Sequence, residues 1–373
     1  MGKGGNKLFE GRYNGKKVVV TGHTGFKGSW MTAWLLKLGA EVVGISREIL
    51  TEPAMFKELG LEGRICHHFA DVRDLSAIRE IVAREKPDFV FHLAAQAIVS
   101  VSYQDPVGTV STNVLGAMNL LESLREADWP CVVVLITSDK CYDNVEWVWG
   151  YRETDAIGGK DVYSGSKGAA EVIIKSYFHS FFSAKDCPVR LGVGRAGNVI
   201  GGGDWSKDRI VADCMRAWSE GRSVEIRSPS ATRPWQHVLE PISGYLTLGA
   251  GLRTETELSG EAFNFGPRAE QSRTVLELLK DLSYIWGFEQ TDDVFRVTGN
   301  IPFHEAGLLK LNCDKALFHL GWEPNLSYDE MIQLVGGWHY AFYKGETDMF
   351  QMTESQIAHY EKTAADRARV WTV

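Results

Sequence analysis

The sequence predicts an α/β fold: a doubly wound parallel sheet with a smaller C-terminal α/β unit. Short β-branched runs alternate with amphipathic helical stretches from Lys17 onward, the pattern of a parallel sheet covered on both faces. The 373 residues are 44% hydrophobic, enough for one large core or two modest ones. After about Arg195 the texture changes to Gly-rich loops, isolated helices and short strands. The first strand is Val18-Val19-Val20, and Trp30 to Leu38 reads as its helix, stopped by Gly39. Glu41 to Ile45 is the second strand, and a third precedes Asp71. Phe89 to Leu93, Cys131 to Ile136 and Val189 to Gly194 follow as buried strands. In the second unit Phe263-Asn264-Phe265 reads as a short strand. The tail after about Gly345 is polar, with a helical patch near Gln356 to Tyr360.

Composition narrows the function classes. A formal net charge of -8 without any long Lys/Arg run gives no footprint for nucleic acid. No apolar stretch nears the roughly 20 residues of a membrane helix, and the Gly/Lys-rich start lacks a signal peptide's apolar core. No membrane partner and a cytoplasmic location are the expectation. The six cysteines (Cys66, Cys131, Cys141, Cys187, Cys214, Cys313) form no C-x-x-C pair, which fits reduced thiols and no metal site.

Directly after the first strand, Thr21-Gly22-His23-Thr24-Gly25-Phe26-Lys27-Gly28 opens a helix. Glycines are needed there because the turn is tight and the backbone must approach a pyrophosphate, which the free N–H groups of the helix end then hold. Residues 15–194 are therefore expected to form a Rossmann-type dinucleotide-binding domain. Residues 195–345 mainly form the substrate domain, interleaved with the first, and 346–373 a tail. Asp71 and Val72 after the third strand are placed to meet the adenine. Leu93, Ala94 and Ala95 offer small residues at a strand end for the nicotinamide ribose. The second strand ends in Ser46-Arg47 where an acidic ribose ligand is usual. That pair suits a 2′-phosphate, so the cofactor is expected to be NAD with NADP left open. His23 and Lys27 read as loop residues offering backbone contacts.

Tyr163 and Lys167 stand four apart on one face of an amphipathic stretch running to about Phe182. A phenol of pKa about 10 is a poor base at neutral pH, and a neighbouring ammonium favours its phenolate. Tyr163 can then take a hydroxyl proton as hydride leaves the same carbon. Ser138, at the end of the strand before it, can donate a hydrogen bond to the same substrate oxygen.

TGHTGFKG at 21–28, HLAAQ at 92–96, the Asn113 helix, ITSDKCYDN at 136–144, YSGSK at 163–167 and RAGNVIGGGDW at 195–205 together resemble the extended short-chain dehydrogenase/reductase family of sugar-nucleotide enzymes. The likeness covers roughly residues 15–340. Within it, Thr137-Ser138-Asp139-Lys140 resembles the 4,6-dehydratases, whose usual pattern is Thr-Asp-Glu with Asp as acid and Glu as base in the loss of water. Here Ser138 takes the Thr place and Lys140 replaces Glu. That replacement resembles the CDP-glucose branch of these enzymes, as do His304-Glu305-Ala306 and Arg233-Pro-Trp235-Gln-His237.

The resemblance implies a lyase of deoxysugar biosynthesis, the chemistry behind lipopolysaccharide O-antigen sugars. It implies a bound NAD, a nucleotide-sugar substrate, and a homodimer or homotetramer built on the helices near Asn113 to Leu124 and Tyr163 to Phe182. Tyr163, Lys167, Ser138, Asp139 and Lys140 become the catalytic set. In a dry site Asp139 can hold its proton near neutral pH. Lys140 is a base only if its pKa falls far below about 10; otherwise it steadies an enolate. Gln96, Asn198, Arg209 and Arg233 are the expected substrate ligands, the arginines facing phosphate. Trp205 and Trp235 either stack on the base or pack the small domain. A 4-epimerase would share the Tyr-Lys pair but needs no elimination acid, and a nucleotide sensor needs none of the three hydride-step residues.

Overall fold

The computed structural model describes residues 8–226, 228–290, 294–298, 308–345 and 347–373. His304, Glu305 and Ala306 lie outside them. Seven strands form one parallel sheet: β1 (Lys17–Thr21), β2 (Glu41–Ser46), β3 (Cys66–Phe69), β4 (Phe89–His92), β5 (Cys131–Ile136), β6 (Val189–Arg195) and β7 (Ala262–Asn264). Their spatial order is β7-β6-β5-β4-β1-β2-β3. The order reverses between β1 and β4, and ligands bind outside the carboxyl ends of strands at such a switch.

Both faces of the sheet are covered, and the side-chain alternation of the strands shows it. Val18 and Val20 enter one core cluster and Val19 the other; likewise Val132 and Val134 part from Cys131 and Val133. The first face is packed by α1 (Phe26–Lys37), whose Trp30 and Trp34 are fully buried. The second takes α2 (Leu75–Glu85), α3 (Gly116–Leu124) and α4 (Val162–Tyr177). A smaller unit gathers a third cluster around α5 (Ile210–Ser219), α7 (Val275–Trp286) and α8 (Tyr328–Lys344), while α6 (Leu239–Leu252) seals the first face of the sheet.

Two readings of the sequence shift. The first helix starts at Phe26, four residues before Trp30, so the glycine loop feeds straight into its first turn. The Phe263 strand, expected in the smaller unit, is β7, pairing in parallel with β6 as the sheet's edge. The polar tail holds α9 (Met349–Asp366), an 18-residue helix.

Candidate active site

The glycine loop is tight for a steric reason. Gly22 has φ +74°, and a Cβ there would come within 2.8 Å of the Ala94 nitrogen. A Cβ on Gly28 would collide with the Gly22 carbonyl. The loop therefore lies against Leu93 and Ala94 at the end of β4, and the first turn of α1 faces the switch point. Beside it Ala94, Ala95, Asn113, Thr137 and Lys167 line a small gap of about 10 Å³. Glycine approach, helix amino end and the small residues at the end of β4 fit a dinucleotide.

At the loop's outer side the placements differ from a phosphate-reading pair. The Ser46 hydroxyl is buried and bonded to His23 Nδ1 at 3.0 Å and to the Thr24 N–H at 3.3 Å. It clamps the glycine loop. The Thr24 hydroxyl donates to the Glu48 carbonyl at 2.7 Å. Arg47 alone is exposed, paired with Glu48 and 3.9 Å from Asp71. Asp71 is gripped by Arg73, whose hydrogen bonds hold its carboxyl below the usual range. Val72 is buried against Gly116. His23 is also no open loop residue: its ring is buried against Phe56, and burial draws it down to about 4.

The predicted catalytic side chains come together at the carboxyl ends of β5 and β6. Asp161 caps α4, accepting from the Ser164 N–H at 2.9 Å, so Tyr163 and Lys167 occupy its first two turns. Both are buried. Burial brings the Lys167 ammonium down to about 8. It raises the Tyr163 phenol above its ordinary value, against the pull of Arg209 and of a hydrogen bond with Ser138. The Ser138 hydroxyl donates to Asp139 Oδ1 at 2.8 Å. Asp139 is only 3% exposed, and a Cβ on Gly197 would strike its carboxylate. Lys140 is half-buried, with its backbone N–H on Ser138 Oγ at 3.2 Å; no ion pair within 4 Å joins it to Asp139.

Three groups at this centre escape a linear reading. Lys27 is the first: in the first turn of α1 its ammonium stands 5.6 Å over the Tyr245 ring. Burial, then Lys167 and Arg209, draw it down to about 7 against the attraction of Asp139. The second is Glu171, one turn beyond Lys167 on the same face of α4, which accepts from Thr137 Oγ1 at 2.5 Å and takes both forks of the third, Arg195, at 2.8 and 2.7 Å. Arg195 also reaches the Tyr142 hydroxyl at 2.7 Å, and that hydroxyl donates to Asn264. The i, i+4, i+8 series Tyr163, Lys167, Glu171 was the available signal. Asn113 sits in a π-turn and ties Ser166 Oγ at 2.8 Å to the Gln96 backbone.

The expected substrate ligands are placed unevenly. Arg209, donating to the Ala97 carbonyl at 3.0 Å, lies within electrostatic range of Tyr163 and Lys27. Asn198 carries a left-handed φ of +53° in the loop beyond Gly197, a backbone Asn tolerates better than most residues. The Gln96 amide is spent on its own loop, donating to Thr109 and the Ile98 carbonyl and accepting from the Ile98 N–H. Arg233 is half-buried, donating to the Thr232 carbonyl at 2.9 Å. Trp205 packs with Trp338 and Phe342; its side of the alternative is core. Trp235 is buried with no partner for its indole N–H. Among the described residues no His/Cys/Asp/Glu cluster could hold a metal and no helix is long and apolar enough to cross a membrane.

A glycine-cradled dinucleotide site that ends on a Tyr-x-x-x-Lys pair and a buried strand-end carboxylate defines a nucleotide-sugar-modifying class of dehydrogenase-like enzymes. The model of the GDP-mannose 4,6 dehydratase family matches residues 19–335, and the chain belongs to that family. It is 45% identical over 352 residues to a CDP-glucose 4,6-dehydratase of Salmonella typhimurium, covering 93% of this chain and 97% of that one. Among solved structures it resembles DesIV, a dTDP-glucose 4,6-dehydratase of Streptomyces venezuelae with NAD bound, at TM-score 0.75 and 20% identity, covering 88% of this chain and 98% of that one. A UDP-glucose 4-epimerase of Thermotoga maritima gives TM-score 0.72 at 23% identity, covering 88% and 100%. These last two likenesses speak for the fold.

Proposed function

We propose that the protein is a CDP-glucose 4,6-dehydratase, a hydro-lyase that converts CDP-D-glucose to CDP-4-keto-6-deoxy-D-glucose and water. The observation that carries this reading is a buried carboxyl, Asp139, hydrogen-bonded to Ser138 beside Tyr163 and Lys167, in a chain 45% identical to a CDP-glucose 4,6-dehydratase. The cofactor is NAD, which the Gly22–Gly28 loop and the Ala94-Ala95 turn would hold and which would supply the hydride acceptor for carbon 4 and the hydride donor for carbon 6. Tyr163 takes the carbon 4 hydroxyl proton, and Lys167 supplies the positive charge beside it. Once carbon 4 is a ketone the carbon 5 proton is acidic, and Asp139 protonates the departing carbon 6 hydroxyl. Arg209, with Asn198 and Arg233, is the group we assign to the nucleotide diphosphate. An epimerase has no use for an acid so placed.

CDP-glucose deuterated at carbon 4 tests the whole reading. The product should carry deuterium at carbon 6, with no net build-up of reduced cofactor. Label washing into solvent, or stoichiometric reduced nicotinamide, would leave a simple dehydrogenase instead.

We further propose that the enzyme works as a cytoplasmic homodimer. Support comes from exposed apolar side chains around α3 and α4, among them Val107, Leu115, Val172 and Phe181, since patches of that kind mark association surfaces. Light scattering should give the mass of two chains, and Val172→Glu should shift it toward one. A monomer at micromolar concentration would end this part of the proposal.

A further inference from the structure

The segment from Thr137 to Tyr142 leaves the end of β5 carrying Ser138, Asp139 and Lys140. It closes a single turn on itself, with the Cys141 N–H on the Ser138 carbonyl at 3.1 Å and the Tyr142 N–H on the Asp139 carbonyl at 3.3 Å. An acid that must meet the carbon 6 hydroxyl needs a fixed distance from Tyr163 and Lys167, which stand on another element.

One buried ion pair holds both ends of that segment. Glu171 Oε1 accepts from the Thr137 hydroxyl at 2.5 Å and from Arg195 Nε at 2.8 Å, while Oε2 accepts from Arg195 Nη2 at 2.7 Å. Arg195 Nη1 donates to the Tyr142 hydroxyl at 2.7 Å and to the Glu153 carbonyl at 3.3 Å. The Tyr142 hydroxyl donates in turn to Asn264 Oδ1 at 2.8 Å. Thr137 is thereby tied to α4, and Tyr142 to the end of β6. From Arg195 the chain runs on to Gly197, where a Cβ would lie 1.9 Å from Asp139 Oδ2. The Asp139 carboxyl thus rests on the same strand end that grips the far side of its segment.

On α4, Glu171 continues the face of Tyr163 and Lys167 at intervals of four residues, and all three are buried. Stability alone does not account for this arrangement. Apolar side chains of the same volume often match or exceed a buried ion pair in stability, but they would leave Thr137 and Tyr142 unheld.

We propose that Glu171 and Arg195 are positioning residues for the elimination acid. By holding Thr137 and Tyr142 they set the Asp139 carboxyl at a fixed offset from Tyr163 and Lys167, so that one bound sugar meets the hydride apparatus at carbon 4 and the acid at carbon 6. The inference rests on the dehydratase reading above. Neither side chain exchanges a proton with the sugar; both act through Asp139. Losing a tether lets the segment drift from α4, and a shift of about 1 Å at a reacting group costs up to about 10²-fold in rate. Oxidation at carbon 4 depends mainly on Tyr163 and Lys167, which stay on their helix, and so suffers less than the loss of water.

Removing the tethers while keeping the ion pair separates position from stability. Thr137→Val and Tyr142→Phe each delete one hydroxyl of the network and retain the shape of the side chain. With the NAD-loaded enzyme, dehydration of CDP-glucose is followed by the absorbance of the keto sugar in base. CDP-6-deoxyglucose has no carbon 6 hydroxyl to lose, so it reports oxidation alone through reduced nicotinamide. The variant with both changes should dehydrate CDP-glucose at least about 10-fold more slowly, while oxidising the analogue within a few-fold of the unaltered rate and binding CDP-glucose with unchanged affinity. Each single change should lower the ratio of dehydration to oxidation in the same direction, so the test does not depend on the combined variant folding. Thr137→Ser keeps the hydroxyl and should keep both rates. During turnover of CDP-glucose the combined variant should also hold a larger share of its cofactor reduced, because the oxidised sugar waits for elimination. Two rates that fall in equal proportion would make the network a structural brace and overturn the positioning role, as would dehydration at full rate in the combined variant; either result leaves the dehydratase reading intact. An unaltered enzyme that neither oxidises the analogue nor dehydrates CDP-glucose refutes that reading, and the inference with it.

Discussion

Chain spacing sets Tyr163 beside Lys167, yet the fold also brings up Ser138, twenty-five positions earlier and at the end of another element, whose hydroxyl pulls the phenol's pKa down. The neighbouring cation that most opposes the burial of the phenol is Arg209. Chain spacing reports which side chains share a helix face, and it found the Tyr-Lys pair for that reason. It does not report what a different strand end brings alongside. The same limit explains Lys27, which reads as a loop residue and instead enters the site from the first turn of α1, and Ser46, whose hydroxyl turns inward to clamp His23 and Thr24. Tyr163→Phe removes the group proposed to take the carbon 4 proton while leaving the ring's packing. Turnover should drop by at least about 10²-fold with CDP-sugar affinity largely retained. Steady-state rates beside a binding titration check this; near-normal turnover would take Tyr163 out of the mechanism.

Secondary elements were legible where period and punctuation agreed. β5 runs from Cys131 to Ile136 as the apolar run suggests, and Gly39, at φ +84°, closes the first helical segment. What stayed hidden were the bonds between elements. Glu171 and Arg195, on α4 and β6, form a bidentate pair with side chains 4% and 3% exposed, lying under the carboxyl ends of β5 and β6. Through Thr137 and Tyr142 this pair links β5 and β7 as well. Removing one partner of such a pair strands the other charge in the interior. Glu171→Gln is therefore expected to cost about 3–5 kcal/mol, whereas a combined Glu171→Met, Arg195→Met variant should lose much less than the sum of its single changes. Chemical denaturation of the four proteins reads the coupling directly, and additive losses would mean that the two side chains act separately.

For the whole molecule, the alternating pattern made a doubly wound parallel sheet readable from the chain alone, although adjacency of sequential strands would set β4 beside β3 and only the pairing places it against β1. The C-terminal tail was not readable in that way. Asp348, Lys362, Asp366 and Arg367 face solvent, while the buried Glu361, Tyr360 and Trp371 anchor it through partners more than a hundred positions away, beyond the reach of any local window. Glu361 accepts from the Trp34 indole at 2.9 Å and pairs with Lys37. Tyr360 donates to the buried Glu240 carboxylate at 2.8 Å. Trp371 stacks on Phe9 at 5.0 Å and on Tyr360 at 5.7 Å, with Trp34 edge-on at 5.8 Å. The tail thus closes the first core face over α1 and joins it to the segment before β1. Because that ring is only 3% exposed, Trp371→Ala should leave a cavity costing about 3–5 kcal/mol. The loss sits far from Tyr163 and Asp139, so the thermal midpoint should fall by several degrees while the rate per folded molecule at low temperature stays within about twofold. An unmoved midpoint would show that the aromatic stack adds nothing to stability, and a fall in rate without a fall in midpoint would connect the tail to the active site by a route its packing does not contain.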